Sequence, residues 1–175
     1  VDVPIANLPA SLHGFTIAQI SDIHVGPTIK GDYVQSIVGA VNRLQADMVA
    51  VTGDLVDGSV AQLRSHVAPL SGLTSRHGTY FVTGNHEYYS GVTAWVAELR
   101  RLGVNVLLNE HVVLQHNDSA LVIAGVTDHS GHHFDESHRS DPAAAIATAP
   151  ADVLRILLEH QPRSAEAALQ AGFQL

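Results

Sequence analysis

Three apolar segments of this chain each lead into residues whose side chains carry oxygen atoms or an imidazole ring. The segments are short and rich in residues that favour β-strands. They are Thr16–Ile20 before Asp22-Ile23-His24, Met48–Val51 before Gly53-Asp54, and Tyr80–Val82 before Gly84-Asn85-His86-Glu87. The carboxyl ends of parallel neighbouring strands meet at one edge of a sheet. The sequence therefore predicts a cluster of ligand-type side chains at that edge.

The residues between these segments have helical periodicity. Apolar residues recur at helical spacing over 31–44, and Leu63, Val67 and Leu70 mark a second helix. A third helix is predicted over 91–102, and the strands are predicted at 15–20, 48–52 and 79–83. Strands and helices that alternate with short connections are typical of a largely parallel sheet covered by helices.

The pattern changes after the third helix. Short apolar runs at Val104–Leu108, Val112–Gln115 and Leu121–Ala124 are separated by polar turns, which predicts a meander or a second sheet. A polar loop over 125–141, a helix over 142–148, a strand at Val153–Leu158 and a helix over 164–171 follow. His160 comes directly after that strand, so it is a further ligand-type residue at a strand end.

Composition limits the classes of protein that this chain can represent. Its 175 residues are 46% apolar and 15% charged, values typical of one globular domain. The formal net charge of −8 argues against a nucleic-acid-binding surface, which needs clustered Lys and Arg. The chain has no cysteine, which excludes disulfides and thiolate metal sites. No apolar run approaches the roughly 18 residues that a membrane span needs.

The first ligand pair is Asp22 and His24. Residues two apart in an extended strand point to the same side, so a carboxylate and an imidazole converge there. This combination suits a first-row divalent metal such as Mn, Fe or Zn better than Ca or Mg. For the pair alone, an Asx-turn beside an exposed histidine remains the alternative interpretation.

Asp54 is the residue best placed to join two metals. A carboxylate has two oxygens and can bridge cations roughly 3.5–4 Å apart, the spacing of two-metal hydrolytic sites. Asp57, three residues later, either orients a neighbouring ligand or caps the following helix.

At this point the sequence resembles a known family. The runs Asp22-Ile23-His24-Val25-Gly26, Gly53-Asp54-Leu55-Val56-Asp57-Gly58 and Gly84-Asn85-His86-Glu87-Tyr88-Tyr89-Ser90-Gly91 are similar to the first three motifs of the calcineurin-like metallophosphoesterases, in the membrane-associated phosphodiesterase branch. The resemblance extends from about Phe15 to the end of the sequence. It implies a four-layer αββα sandwich within the α/β class and a two-metal phosphoesterase.

The resemblance also implies a role for each matching residue. Asp22 and His24 would bind the first metal, Asp54 would bridge both, and Asn85 and His160 would bind the second. His86 would be the catalytic imidazole. The cofactors implied are two divalent ions (Mn, Fe or Zn), and the reaction implied is hydrolysis of a phosphodiester or pyrophosphate bond by a water between the metals.

One departure from the family concerns its closing Gly-His-X-His motif, which this sequence lacks. Gly131-His132-His133 precedes His160 and lies in the polar loop, so it is not a substitute. We therefore expect residues 1–175 to be a single, incomplete domain without its last strands. Each metal would lack one protein ligand unless another molecule supplies it, and metal binding and activity would then be weak.

Other interpretations stay open from the residues alone. Phosphomonoesterase or protein phosphatase activity is one alternative, and a truncated, non-catalytic metal-binding domain is another. The resemblance favours a small phosphorylated substrate, lipid- or nucleotide-linked, no nucleic acid, and membrane-associated or extracytoplasmic location through a segment outside this chain. The sequence itself also allows the cytoplasm, and it does not specify an oligomeric state.

The chain is rich in histidine, with 12 in all. Seven residues of the polar loop could form a lid or an adventitious metal site, but a solvated loop is the interpretation that we favour. They are Asp128, His129, His132, His133, Asp135, Glu136 and His138. Five other histidines are predicted to lie on the surface: His13, His66, His77, His111 and His116.

Overall fold

The computed structural model describes residues 1–175 and contains two β-sheets. The first sheet is entirely parallel, with strands in the order β1 (Ile17–Ile20), β2 (Met48–Thr52), β3 (Thr79–Val82) and β4 (Asn105–Val106). The register pairs Ile20 with Val51 and Thr52 with Val82, so the carboxyl ends of β1, β2 and β3 lie side by side. This arrangement places the three predicted ligand segments at one edge of the sheet.

The second sheet has three strands in chain order. They are β5 (Glu110–His116), β6 (Ser119–Gly125) and β7 (Leu154–Leu158). β5 and β6 form an antiparallel hairpin, whereas β7 runs parallel to β6. Gly125 pairs with Leu158, so β7 also delivers its carboxyl end, and His160 after it, to the edge that holds the other ligand segments.

The helices connect the strands and cover the outer faces of both sheets. Their bounds are α1 (Gly31–Leu44), α2 (Val60–Val67), α3 (Asn85–Ser90), α4 (Val92–Arg101), α5 (Pro142–Ala145) and α6 (Ala165–Ala171). α1, α2 and α4 cover the first sheet through Val38, Leu63 and Trp95, while Ala145 of α5 and Ala168 of α6 cover the second. None of these helices has the length and apolar character needed to cross a bilayer.

A separate apolar core fills the space between the two sheets. Met48, Tyr80 and Val82 from the first sheet pack here with Leu121 and Ile156 from the second. The two sheets approach closely at Gly125, because a Cβ atom there would be 2.5 Å from Cγ1 of Val82 in the first sheet. The order of layers is therefore helix, sheet, sheet, helix, which confirms the predicted αββα sandwich.

Most of the predicted elements are present, with two corrections. The run at Val104–Leu108, expected in a meander or second sheet, contributes only β4, which pairs with β3 in the parallel sheet. It joins that sheet because Val106 packs in the outer core beneath α4. The second difference is the short helix α3 at Asn85–Ser90, which precedes α4 and which the sequence did not predict.

Candidate metal centre

The turns that follow β1 and β2 hold their ligand residues in an unusual backbone conformation. Asp22, His24 and Asp54 have φ angles of 55°, 51° and 52°, in the left-handed region that residues other than glycine rarely adopt. Such conformations are costly and cluster at functional sites. The expectation that Asp22 and His24 converge because they are extended is therefore wrong. They converge because the backbone coils at the strand end.

Backbone hydrogen bonds hold the two coiled turns against each other. The N–H of Asp22 donates to the carbonyl of Gly53 at 3.2 Å, and the N–H of His24 donates to the carbonyl of Asp54 at 3.0 Å. Val25 then donates to Leu55 at 2.8 Å, so the ladder between β1 and β2 continues past their ends. These bonds offset the strain of the left-handed residues and fix the spacing of the two turns.

The carboxylate of Asp54 lies at the centre of the site. Its Oδ2 atom is 3.3 Å from Nε2 of His160, 3.8 Å from Nε2 of His24 and 3.9 Å from Nε2 of His86. Asp22 completes the group, with Oδ1 3.9 Å from Nε2 of His24. The predicted residues Asp22, His24, Asp54, His86 and His160 therefore come from four strand ends into one cluster.

The outer nitrogen of each imidazole is held by a hydrogen-bond acceptor. Nδ1 of His24 and Nδ1 of His86 lie 3.0 Å and 2.6 Å from Oδ1 of Asp57. Nδ1 of His160 lies 2.8 Å from the carbonyl oxygen of Thr52. Carboxylate and carbonyl oxygens only accept, so each Nδ1 carries a proton, and in the neutral form of each ring the lone pair of Nε2 faces Asp54.

Asp57 is thus an orienting carboxylate, one of the two roles left open by the sequence. The helix that it was alternatively expected to cap, α2, is capped by Ser59, whose N–H donates to Oε1 of Gln62 at 3.1 Å. Hydrogen bonding to Asp57 raises the pKa of the His24 imidazole; burial opposes this shift, and the charges of Asp54 and Asp22 add to it. Burial works to raise the pKa of Asp57, but its bonds from His24 and His86 hold that pKa below the ordinary value.

The donor set fits divalent cations. Carboxylate oxygens of Asp22 and Asp54 and Nε2 lone pairs of three imidazoles face one another, and no Lys or Arg side chain bonds to any of them. A cation stabilises lone pairs and negative charges that face one another, and mixed N/O ligands suit first-row metals. Asp22, Asp54 and His160 form one group that could hold an ion. His24, Asp57 and His86 also lie together, but Nδ1 of both imidazoles already donates to Asp57, so we assign no ion to that group.

Asn85 lies at the rim of this cluster. It is the first residue of α3, and the next backbone N–H, that of His86, donates to Oδ1 of Asp54 at 3.0 Å. Its amide oxygen is 3.5 Å from Nε2 of Gln161, the residue after His160. His132 and His133 belong to neither group of potential ligands.

Glu87 is a structural residue of the site that the sequence analysis did not single out. Its side chain is buried and accepts hydrogen bonds from the backbone N–H groups of Gly84 (2.7 Å), Leu55 (2.8 Å), Asp54 (3.0 Å) and Val56 (3.3 Å). Burial raises its pKa to about 7, and the bonds from the N–H groups of Gly84, Leu55 and Asp54 oppose that shift. A glutamate three residues after Gly84 at a strand-to-helix turn has the spacing of a helix cap, which could have identified it.

Two glycines allow the strand-end turns to approach closely. A Cβ atom on Gly53 would lie 2.5 Å from the backbone nitrogen of Gly84, and the φ angle of Gly53 is 86°. A Cβ atom on Gly84 would overlap Oδ1 of Asp54. Both positions therefore need glycine to bring Asp54 under the start of α3.

One histidine does not lie where the sequence predicted. His116 is buried, and its Nδ1 is 3.0 Å from Nε2 of His77. The two rings pack around Phe15 near the amino end of β3, away from the metal cluster. The expectation of a surface position is wrong for His116 because this residue ends β5, which faces the core between the sheets.

An αββα sandwich that gathers carboxylates and imidazoles at the carboxyl ends of its strands has the architecture of a metal-dependent hydrolase. The family profile of the calcineurin-like phosphoesterases matches residues 15–167. The chain belongs to this family.

Comparison with individual proteins agrees with this assignment. A bovine (Bos taurus) "transmembrane protein with metallophosphoesterase domain" is 42% identical over 180 residues, a match that covers 98% of this chain and 40% of that protein. The NAD nucleotidase of Haemophilus influenzae has the same fold, with a TM-score of 0.59 and 17% identity over 90% of this chain and 35% of that chain.

A shorter match is relevant to substrate chemistry. The UDP-2,3-diacylglucosamine pyrophosphatase of Chlamydia muridarum is 31% identical over 85 residues, which cover 48% of this chain and 26% of that protein. The chain thus spans less than half the length of each of these proteins.

Proposed function

We propose that this chain forms the catalytic core of a metal-dependent phosphoesterase that hydrolyses phosphodiester or pyrophosphate bonds. Asp22, His24, Asp54, Asn85 and His160 would hold two divalent ions (Mn, Fe or Zn). The observation that carries the proposal is the convergence of three Nε2 atoms on the buried carboxylate of Asp54. The other nitrogen of each ring, Nδ1, is held by a hydrogen bond to an oxygen. When bound, divalent ions would neutralise the charge of the phosphoryl group and activate the attacking water.

The negative charge of the cluster allows a phosphorylated substrate to bind only when cations are bound. Asp22, Asp54 and Asp57 lie together, and no Lys or Arg pairs with them. A phosphate anion would be repelled by these carboxylates alone. Binding of substrate is therefore coupled to filling of the metal sites, which favours a metal-dependent reaction over nucleophilic catalysis by a side chain.

His86 is the residue that we assign to proton transfer. Its Nδ1 donates to Asp57 at 2.6 Å, so Asp57 fixes the orientation of the ring and leaves Nε2 facing the cluster. The side chain is 37% exposed and is therefore open to a substrate that approaches the cluster from solvent. In the protonated ring Nε2 carries the hydrogen that a leaving oxygen requires.

The substrate class follows from the relatives and remains a proposal. The partial match to a pyrophosphatase and the fold of a nucleotidase support small lipid- or nucleotide-linked phosphates. The name of the bovine relative supports membrane association of the whole protein through a segment outside these residues.

Replacement of His86 by alanine tests the assignment. Without the imidazole, proton transfer to the leaving group is lost, so we expect kcat for a phosphodiester with an alkoxide leaving group to fall by about 10²–10⁴-fold. The kcat for bis(4-nitrophenyl) phosphate should fall much less, because 4-nitrophenolate leaves without a proton. The metal content, measured by elemental analysis after Mn²⁺ loading, should be unchanged, because His86 is not among the proposed ligands. His13→Ala, at an exposed position, is the matched control and should change neither quantity.

The same assay distinguishes the alternative functions. Unchanged turnover in His86→Ala would refute the catalytic role, and metal binding without any turnover would favour a non-catalytic metal-binding domain. Faster hydrolysis of 4-nitrophenyl phosphate than of the diester by the unmodified protein would favour a phosphomonoesterase.

A further inference from the structure

Asp128 is a buried carboxylate that the proposed reaction does not use. It is 1% exposed, although the sequence placed it in a solvated loop. Its Oδ1 atom accepts hydrogen bonds from the backbone N–H and the hydroxyl of Ser130 at 2.9 Å and 2.5 Å, and its own N–H donates to the hydroxyl of Thr83 at 3.0 Å. These contacts hold the carboxylate in one position beside the strand that precedes Gly84.

The second oxygen of Asp128 fixes the side chain of Gln161. Nε2 of Gln161 lies 3.0 Å from Oδ2 of Asp128. An ionised carboxylate only accepts hydrogen bonds, so the NH₂ group of Gln161, and not its oxygen, must face Asp128. Asp128 therefore determines which way round this amide lies.

Gln161 transmits this orientation to Asn85. The same Nε2 atom lies 3.5 Å from Oδ1 of Asn85, at the outer limit of a hydrogen bond. The second N–H of the Gln161 amide is available for this contact. Because an N–H donates, it favours the orientation of Asn85 in which the amide oxygen, and not the NH₂ group, faces Gln161. Gln161 thus donates hydrogen bonds to both neighbours, to the carboxylate of Asp128 on one side and to the amide oxygen of Asn85 on the other.

We propose that Asp128 and Gln161 are positioning residues that select the oxygen of the Asn85 amide for cation binding. The inference rests on the proposed function, in which Asn85 is a metal ligand. An amide oxygen has two lone pairs, so it can accept from Gln161 and still bind a cation. Without Gln161 the amide is free to rotate and to present NH₂, which cannot bind a cation, and the affinity of this site falls.

The test measures Mn²⁺ binding by the metal-free protein with isothermal titration calorimetry. Gln161→Met keeps the length of the side chain but removes the donor, and Asp128→Asn removes the acceptor-only group. Outer partners of metal ligands typically contribute 10–100-fold to affinity, so we expect the dissociation constant of the weaker Mn²⁺ to rise by at least about tenfold in both variants. The dissociation constant of the more tightly bound Mn²⁺ should change by less than about twofold.

Two controls separate positioning from general loss of structure. Asp135 lies in the same loop but is exposed, and its carboxylate bonds only to Ser137, so Asp135→Asn should leave both dissociation constants unchanged. In an Asn85→Ala background, Gln161→Met should cause no further loss, because Gln161 acts through Asn85. A structural role would weaken binding in both backgrounds and would lower the thermal midpoint measured in EDTA.

The outcomes also separate this inference from the proposed function. Two bound Mn²⁺ ions in the unmodified protein and in Gln161→Met, with equal dissociation constants, would overturn the positioning role alone. Failure of the unmodified protein to bind Mn²⁺ would overturn both. If Asp128→Asn fails to fold, Gln161→Met still decides, since Gln161 is only half-buried.

Discussion

Replacement of Asp54 by asparagine is expected to abolish phosphoesterase turnover and the binding of at least one divalent ion. Oδ2 of Asp54 lies within 3.9 Å of Nε2 of His24, His86 and His160, so it is the one oxygen that faces every ring. The asparagine keeps an oxygen for the N–H of His86 but loses the negative charge and the second acceptor. We expect Mn²⁺ affinity to fall by at least about 100-fold, the upper range for residues that act only indirectly on a metal.

A control variant separates the loss of Mn²⁺ binding in Asp54→Asn from unfolding of the protein. Asp118→Asn, at an exposed position in the turn between β5 and β6, removes the same charge far from the cluster and should bind Mn²⁺ normally. Thermal unfolding in EDTA should be similar for both variants, because Asp54→Asn keeps its hydrogen bond with the backbone. An Asp54→Asn protein that still binds two ions with unchanged affinity would show that Asp54 does not join the two sites.

The sequence predicted the parts of the site that depend on strand order. Apolar segments at the predicted positions became neighbouring parallel strands, and the residues after them met because parallel strands share a carboxyl edge. The helix predicted over 31–44 has the same bounds in the structure, since its apolar residues recur on one face. Apolar runs and helical periodicity are local properties, and with short connections they predict that the residues after these strands lie at one edge of the sheet.

The contacts that fix the ligands depend on distant parts of the chain. The left-handed backbone of Asp22 and Asp54 follows from hydrogen bonds between two turns, which no local propensity indicates. Asp128 was assigned to a solvated loop because its partner, Gln161, is 33 residues away in the sequence. The short strand β4 lies in the first sheet because one of its two residues, Val106, packs under α4, and sequence periodicity does not predict this contact.

Replacement of Glu87 by leucine is expected to destabilise the protein strongly at every pH. The side chain accepts four backbone N–H groups from the turns after β2 and β3, and a leucine of similar size accepts none. Each buried donor left without a partner costs about 1–3 kcal/mol, partly offset because burial of the carboxyl group is itself unfavourable. We expect a net loss of about 3 kcal/mol in the free energy of unfolding, measured by urea denaturation in EDTA. Glu166→Leu, at an exposed position on α6, is the control and should change stability by less than about 0.5 kcal/mol.

The effect of Glu87→Leu should also depend on pH in a defined direction. Burial raises the pKa of Glu87 from its ordinary 4.5 to about 7, so the folded protein holds a proton that the unfolded chain releases in this interval. The stability that this proton contributes is fully present below about pH 4.5 and is lost as the pH rises to about 7. The difference between the unmodified protein and Glu87→Leu should therefore be larger at pH 5 than at pH 8. A larger difference at pH 8 would mean that the four N–H groups favour the ionised carboxylate more than burial disfavours it, and that the centre is built around a charged Glu87.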